Sequence, residues 1–103
     1  MKEKEIILKA IAEKKGRDIA VLKVEHLTVL ADYFIIASAR TAPQVKAIAE
    51  NVDEKMSEAG IEPLRRDGVS EGRWIVLDYG NIIVHVFNDE NRLLYALDQL
   101  WSD

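Results

Sequence analysis

The sequence predicts a small α/β domain: a mixed sheet of about five strands packed with three helices. Three observations predict it. Apolar strand-like runs and helix-period stripes alternate along 103 residues, in the order helix, strand, strand, helix, strand, strand, strand, helix. Two of the runs, one carrying Trp74 to Tyr79 and the other Ile82 to Phe87, are joined by Gly80-Asn81 alone, which fits a two-residue hairpin loop with Gly where φ > 0 is needed. Helix start and stop signals bracket the periodic segments. The length fits one domain spanning residues 1–103, and a chain of this size buries roughly two-thirds of its unfolded surface, enough for a core without staples.

Each element has a local reason. Lys2 to Lys15 reads as a helix with Ile6, Ile7, Ala10 and Ile11 in one stripe, and Gly16 stands where a C-terminal cap is expected. Asp18 to Val24 is a strand. Glu25 to Ala31 connects it onward without Gly or Pro, and its shape is not legible. Asp32 to Ala39 is almost continuously apolar, the pattern of a strand buried on both faces. Thr41-Ala-Pro-Gln44 starts a helix: Thr41 can accept from a free backbone N–H, Gln44 can bond back, and Pro43 fits the first turn. Val45, Ile48, Ala49, Val52, Met56 and Ala59 follow at helical spacing, and Gly60 closes the helix. Ile61 to Asp67 reads as a short strand in which Pro63 suggests an edge or a strand start, and Gly68 to Gly72 as a turn. After the hairpin, Asn88 or Asp89 caps a helix whose apolar face is Leu93, Leu94, Leu97, Leu100 and Trp101.

The hairpin fixes which side chains share a face. A two-residue loop sets Tyr79 opposite Ile82, Leu77 opposite Val84 and Ile75 opposite Val86, so one side is wholly apolar. The other side carries Trp74, Val76, Asp78, Ile83, His85 and Phe87. Two polar groups among aromatics on that side need a reason. Trp74 and Phe87, cross-strand neighbours, form either a second core layer under a helix or an exposed anchor patch of the kind that marks partner sites. His85 and Asp78 lie diagonally, within possible reach of each other; such a pair can orient a general base or make a structural hydrogen bond. Ala37 to Thr41 joins a strand to a helix N-terminus, a natural anion site, but lacks the glycines that let a backbone cradle phosphate. A metal-dependent nucleotidyltransferase needs a Gly-Ser turn and two alternating carboxylates; the hairpin strand offers only Asp78, with Val76 and Gly80 at the alternating positions.

Composition narrows the classes further. There is no cysteine, which excludes disulfides, thiolate metal sites and cysteine nucleophiles. His26 and His85, far apart in sequence, speak against zinc, so no metal, cofactor or catalytic residue is expected. No signal-peptide pattern and no apolar run of the ~18–20 residues of a membrane span occur, so a soluble, cytoplasmic protein is expected. The net charge of −4 is made of interspersed acids and bases, with no basic stripe. That argues against a nonspecific nucleic-acid binder and permits docking onto a basic partner; no direct sequence-specific nucleic-acid contact is expected.

The run W-I-V-L-D-Y-G-N-I-I-V-H-V-F from Trp74 to Phe87, then N-R-L-L-Y-A-L-D-Q-L-W from Asn91 to Trp101, resembles the bacterial ribosomal silencing factor (RsfS, Iojap-like) family. Asp18-Ile-Ala-Val-Leu, Ala31-Asp-Tyr-Phe-Ile-Ile-Ala and Glu58-Ala-Gly-Ile-Glu-Pro-Leu-Arg fit the same family, so the resemblance covers nearly the whole chain. It implies a non-enzymatic translation regulator. Such a protein binds the large ribosomal subunit through that subunit's fourteenth protein, blocks joining of the small subunit, and lowers translation when nutrients are scarce. It also implies a degenerate relative of the nucleotidyltransferase fold, without the metal carboxylates, and homodimers in the free state. By position, Trp74, Asp78, Tyr79, Gly80 and His85 match the family's hairpin motif, and Arg92, Tyr95 and Trp101 its last helix. With Phe87, Asp89 and Glu90 added as aromatic and acidic neighbours, the expected partner-binding set is Trp74, Asp78, Tyr79, His85, Phe87, Asp89, Glu90, Arg92 and Tyr95. One departure stands out. The family's strand-to-helix turn usually carries Thr-Gly-Thr/Ser-Ser, and here it reads Ser38-Ala39-Arg40-Thr41-Ala42-Pro43, without the glycine. Two other readings stay open: a minimal nucleotide-binding or transferase domain using Asp78, His85 and the Ser38–Thr41 turn, and a structural homodimer whose mixed face is its self-interface.

Overall fold

A computed structural model describes residues 2–95 of the chain, the last three by their backbone alone. The elements are α1 (Lys2–Glu13), β1 (Arg17–Lys23), β2 (Tyr33–Ala39), α2 (Ala42–Glu58), β3 (Arg65–Asp67), β4 (Trp74–Asp78), β5 (Ile82–Asn88) and α3 (Asp89–Tyr95). The five strands form one sheet in the order β1-β2-β5-β4-β3. β2 and β5 pair in parallel at its centre; every other neighbouring pair is antiparallel. The element order and strand number expected from the sequence are those observed. Leu97, Leu100 and Trp101, assigned above to the apolar face of the last helix, lie outside the described residues.

Helices α1 and α2 cover one face of the sheet. Ile7, Ala10 and Ile11 of α1 and Val45, Ile48, Val52 and Met56 of α2 close over Ile35, Ala37, Ile75, Leu77, Val84 and Val86. This is the apolar side of the hairpin, where burial gives the fold its main driving force. Asn51 is a buried polar residue in the seam between the helices, and it is satisfied: its Nδ2 donates to Ala10 O at 2.8 Å and to Glu13 Oε1 at 3.0 Å. The opposite face holds a smaller cluster of Val24, Ala31 and Phe34, with Leu22 and Ile83 packed against it. β2 is buried along both faces from Phe34 to Ala39, as its unbroken apolar run requires.

The hairpin has the register that its loop length dictates. Trp74 pairs with Phe87, Ile75 with Val86, Val76 with His85, Leu77 with Val84 and Asp78 with Ile83, and the Tyr79 N–H reaches Ile82 O at 2.9 Å. Gly80 has φ 87° while Asn81 stays out of the left-handed region, the pattern of a type II′ loop. The α2 N-terminus is capped as expected: Thr41 Oγ1 accepts from the Gln44 N–H at 3.3 Å, while the Gln44 side chain accepts from the N–H of Arg40 rather than of Thr41.

Three local expectations are corrected, and one segment of unassigned shape is settled. At the end of α1 the left-handed residue is Lys15, with φ 62°; the Gly16 N–H donates to Ile11 O at 3.0 Å. β1 begins one residue early, at Arg17, and its register shifts between Arg17 and Ala20, where Asp18 takes φ 49°. The strand expected over Ile61 to Asp67 shrinks to Arg65–Asp67, because Pro63 has no N–H for the ladder and pairing starts only where the Leu64 N–H meets Asp78 O. The 25–31 connector folds back on itself, with the N–H groups of Leu27 and Thr28 both aimed at Val24 O. It tucks Val24 and Ala31 under the sheet and leaves Leu27, Val29 and Leu30 exposed.

Candidate partner-binding face

The sheet face away from α1 and α2 is built by alternation. β4 contributes Trp74, Val76 and Asp78, β5 contributes Ile83, His85 and Phe87, and the parallel register places Phe34, Ile36 and Ser38 of β2 beside them. At one end the aromatic rings form a connected platform. Trp74 stacks on Phe87 with centroids 5.0 Å apart and planes 23° from parallel. Phe34 tilts against His85 at 4.9 Å. Phe87 is 0% exposed and His85 6%, while Trp74 is half-buried. The two readings of the Trp74–Phe87 pair therefore divide between the residues: Phe87 is core, and Trp74 is the platform's outer member.

His85 is bound to Trp74 rather than to Asp78. The indole Nε1–H of Trp74 donates to His85 Nδ1 at 3.0 Å. Indole nitrogen only donates, so Nδ1 is bare and the proton of the neutral ring sits on Nε2. Burial, which disfavours the cation, pushes the imidazole down to about 4. Asp78 is occupied elsewhere: its Oδ1 accepts the Gly80 N–H at 2.8 Å and braces the hairpin loop. The His85–Asp78 pair considered from the sequence is thus not formed, because each group has a nearer backbone or ring partner. The diagonal was legible; the competition was not.

The remaining expected residues divide by position. Tyr79 faces the helix layer, on the other side of the sheet from Trp74, and burial holds its hydroxyl well above the usual phenol range, with the nearby Asp53 carboxylate adding to the effect. Asp89 pairs with Arg17 of β1, and Glu90 is exposed. Arg92 clamps the start of α3 to the sheet, donating to Ser38 Oγ at 2.7 Å and to Asp18 O. Asn88 caps α3 by accepting the Asn91 N–H at 2.9 Å. The side chain of Tyr95 lies outside the described residues. The Ser38–Thr41 turn is spoken for: Ser38 is buried against Arg92, and Thr41 caps α2. Among the described residues, no group of three or more His, Asp or Glu side chains is placed to hold a metal ion, and no helix is long and apolar enough to cross a membrane.

Sequence reasoning missed Phe34 and Ser38 as parts of this face. Both sit at alternate positions of β2, which was a usable signal. What the sequence does not show is that β2 lies beside β5, since a parallel pairing is made by the fold and not by a loop.

A two-helix layer on one side of a mixed sheet, with a tryptophan standing on an aromatic platform on the other, defines a small α/β domain with a partly open aromatic face. The family model described as ribosomal silencing factor during starvation, RsfS, matches residues 1–103. The chain is 37% identical to the ribosomal silencing factor RsfS of Bacillus subtilis, over all of this chain and 90% of that protein. It is 29% identical to the chloroplastic protein Iojap of Arabidopsis thaliana, over 94% of this chain and 40% of the plant protein. Its fold superposes on the crystal structure of a Chromobacterium violaceum protein with a TM-score of 0.95 at 33% identity, covering 97% of this chain and 83% of that one. A Bacillus halodurans crystal structure gives 0.86 at 32% identity, over 95% and 91%. The chain belongs to the RsfS/Iojap family of ribosomal silencing factors, which are translation regulators.

Proposed function

We propose that this protein binds the large ribosomal subunit through the subunit's fourteenth protein, a basic one, and by occupying that place sterically blocks association with the small subunit. Translation is then repressed under nutrient limitation. The observation that carries the reading is family membership along the whole chain, residues 1–103. The geometry supports it. Trp74 is the aromatic anchor, standing on buried Phe87 and tied to His85. Asp78 lies at the far end of the same strand, and Asp89 and Glu90 open α3 next to the β5 end of the platform. Carboxylates flanking an aromatic anchor suit a basic protein surface. In this proposal Trp74, Asp78, Asp89 and Glu90 meet the partner, with Arg92 and Tyr95 on the adjoining helix. Phe87, His85 and Tyr79 act from inside the fold by holding the hairpin and the indole. In the free state the protein is a homodimer, as its resemblance to the family implies.

Sedimentation with separated subunits tests the reading. The protein should travel with large subunits and not with small ones, and should reduce the yield of joined ribosomes when added before mixing. Equal affinity for both subunits, or no binding at low salt, would remove it. Sedimentation equilibrium of the free protein, giving twice the chain mass, checks the dimer.

A further inference from the structure

We propose that His85 is a positioning residue for Trp74: its Nδ1 is the acceptor that fixes the indole in the orientation a partner meets. This rests on Trp74 being the anchor of the proposed interface. Stacking on Phe87 sets the height of the indole above the sheet, but two stacked rings slide and rotate over one another at little cost. The bond from Nε1–H to His85 Nδ1 at 3.0 Å removes that freedom. His85 is itself buried, 6% exposed, with Phe34 tilted against it and Phe87 nearly parallel to it at 6.2 Å.

The other ring nitrogen gives the second half of the argument. Nε2 carries the proton and is buried, and among the described residues it has no hydrogen-bond partner. An unmet buried donor is unfavourable to folding. A leucine or a phenylalanine would fill the same space among Phe34, Trp74 and Phe87 without that penalty. Among the described residues the imidazole gains no bond through Nε2 while serving the indole through Nδ1. A side chain ordered before binding has less freedom to lose on binding, so the arrangement favours affinity for whatever docks on Trp74.

Two substitutions separate positioning from simple core filling. His85→Leu fills the space and accepts nothing. His85→Asn carries an amide oxygen on Cγ, the atom that bears Nδ1 in histidine, so it can still accept the indole N–H. In ¹⁵N-labelled wild type, a scalar coupling across the N–H···N bond should link Trp74 Nε1 to His85 Nδ1. Loss of the corresponding indole signal in Trp74→Phe assigns it. His85→Leu should lose protection of the Trp74 indole N–H against exchange and bind large subunits roughly three- to tenfold more weakly, without melting far below wild type. His85→Asn should recover most of that affinity. Absence of the coupling, or His85→Leu binding as well as wild type, overturns the proposal. If His85→Leu fails to fold, the coupling together with His85→Asn decides: a folded Asn variant that binds no better than Trp74→Ala refutes positioning. If wild type itself does not bind large subunits, the partner assignment fails, while coupling and exchange still report whether His85 holds the indole.

Discussion

At the scale of single residues, the face turns on the contrast between Trp74 and Phe87. They are cross-strand partners in stacking contact, yet one is half-buried and the other wholly buried. Truncation should separate them. Trp74→Ala is expected to lose about 2 kcal/mol or more of large-subunit binding, as a central aromatic anchor does, while keeping most of its melting temperature. Phe87→Ala is expected to lose about 3–5 kcal/mol of stability. Thermal melts and subunit titrations on the two variants check this, and a Trp74→Ala protein that binds like wild type would move the anchor elsewhere. His85 adds a pH dependence whose sign follows from its burial. The unfolded imidazole titrates near 6.5 and the folded one at about 4, so between those values the unfolded chain holds the extra proton. The stability is complete above pH 6.5 and falls by up to about 3 kcal/mol as pH drops to 4. Denaturant midpoints measured across that window should decline in wild type and decline less in His85→Leu. The sequence showed which hairpin residues share this face, because alternation is arithmetic, but not that Phe34 and Ser38 of β2 join them. It did not show which atoms bond, because the Trp74–His85 link depends on side-chain reach across a diagonal and on Asp78 being drawn to the loop.

At the scale of elements, the hairpin was legible in full and the edges were not. Two loop residues leave one possible register, so every pairing from Trp74–Phe87 to Asp78–Ile83 followed from Gly80-Asn81. β3 was overextended because apolar character continues through Ile61 and Leu64 although Pro63 forbids a continuous ladder. The 25–31 connector was opaque because its shape is set by Val24 O accepting two N–H groups, which no residue type announces. Two glycines give a test of how these turns are built. Gly80 has φ 87°, and among the described residues only Leu64, at 3.5 Å, comes near where a Cβ would sit. Gly68 has φ 75°, and a Cβ there would come within 2.1 Å of Trp74 O, a backbone atom that cannot swing aside. Gly80→Ala should therefore cost about 1–3 kcal/mol, the backbone strain of a side chain held at positive φ alone. Gly68→Ala should cost distinctly more and should also disturb the Trp74 end of β4, visible as a lower denaturation midpoint and a shifted indole signal.

At the scale of the whole molecule, a chain of net charge −4 is proposed to meet a basic surface. Screening decides how that attraction scales: the Debye length shrinks from about 10 Å at 0.1 M salt to about 3 Å at 1 M. Large-subunit binding should weaken steadily over that range, and Asp78→Asn should flatten the slope. Affinity that holds constant from low to high salt would leave the aromatic platform as the sole source of binding. The sheet order has a different kind of consequence. β2, Tyr-Phe-Ile-Ile-Ala-Ser-Ala, is an uncharged, β-prone run of seven residues, held on one side by β1 and on the other by β5. Its β5 partner is far along the chain, Tyr33 pairing with Ile82. A polypeptide ending after α2 would leave that run with one edge bare, and bare edges of this composition recruit copies of themselves into cross-β stacks. Aggregation resistance in this protein is thus delegated to its last strand. Chains cut short before Ile82 should aggregate where the full sheet stays in solution, because β5 is what covers the second edge of that run.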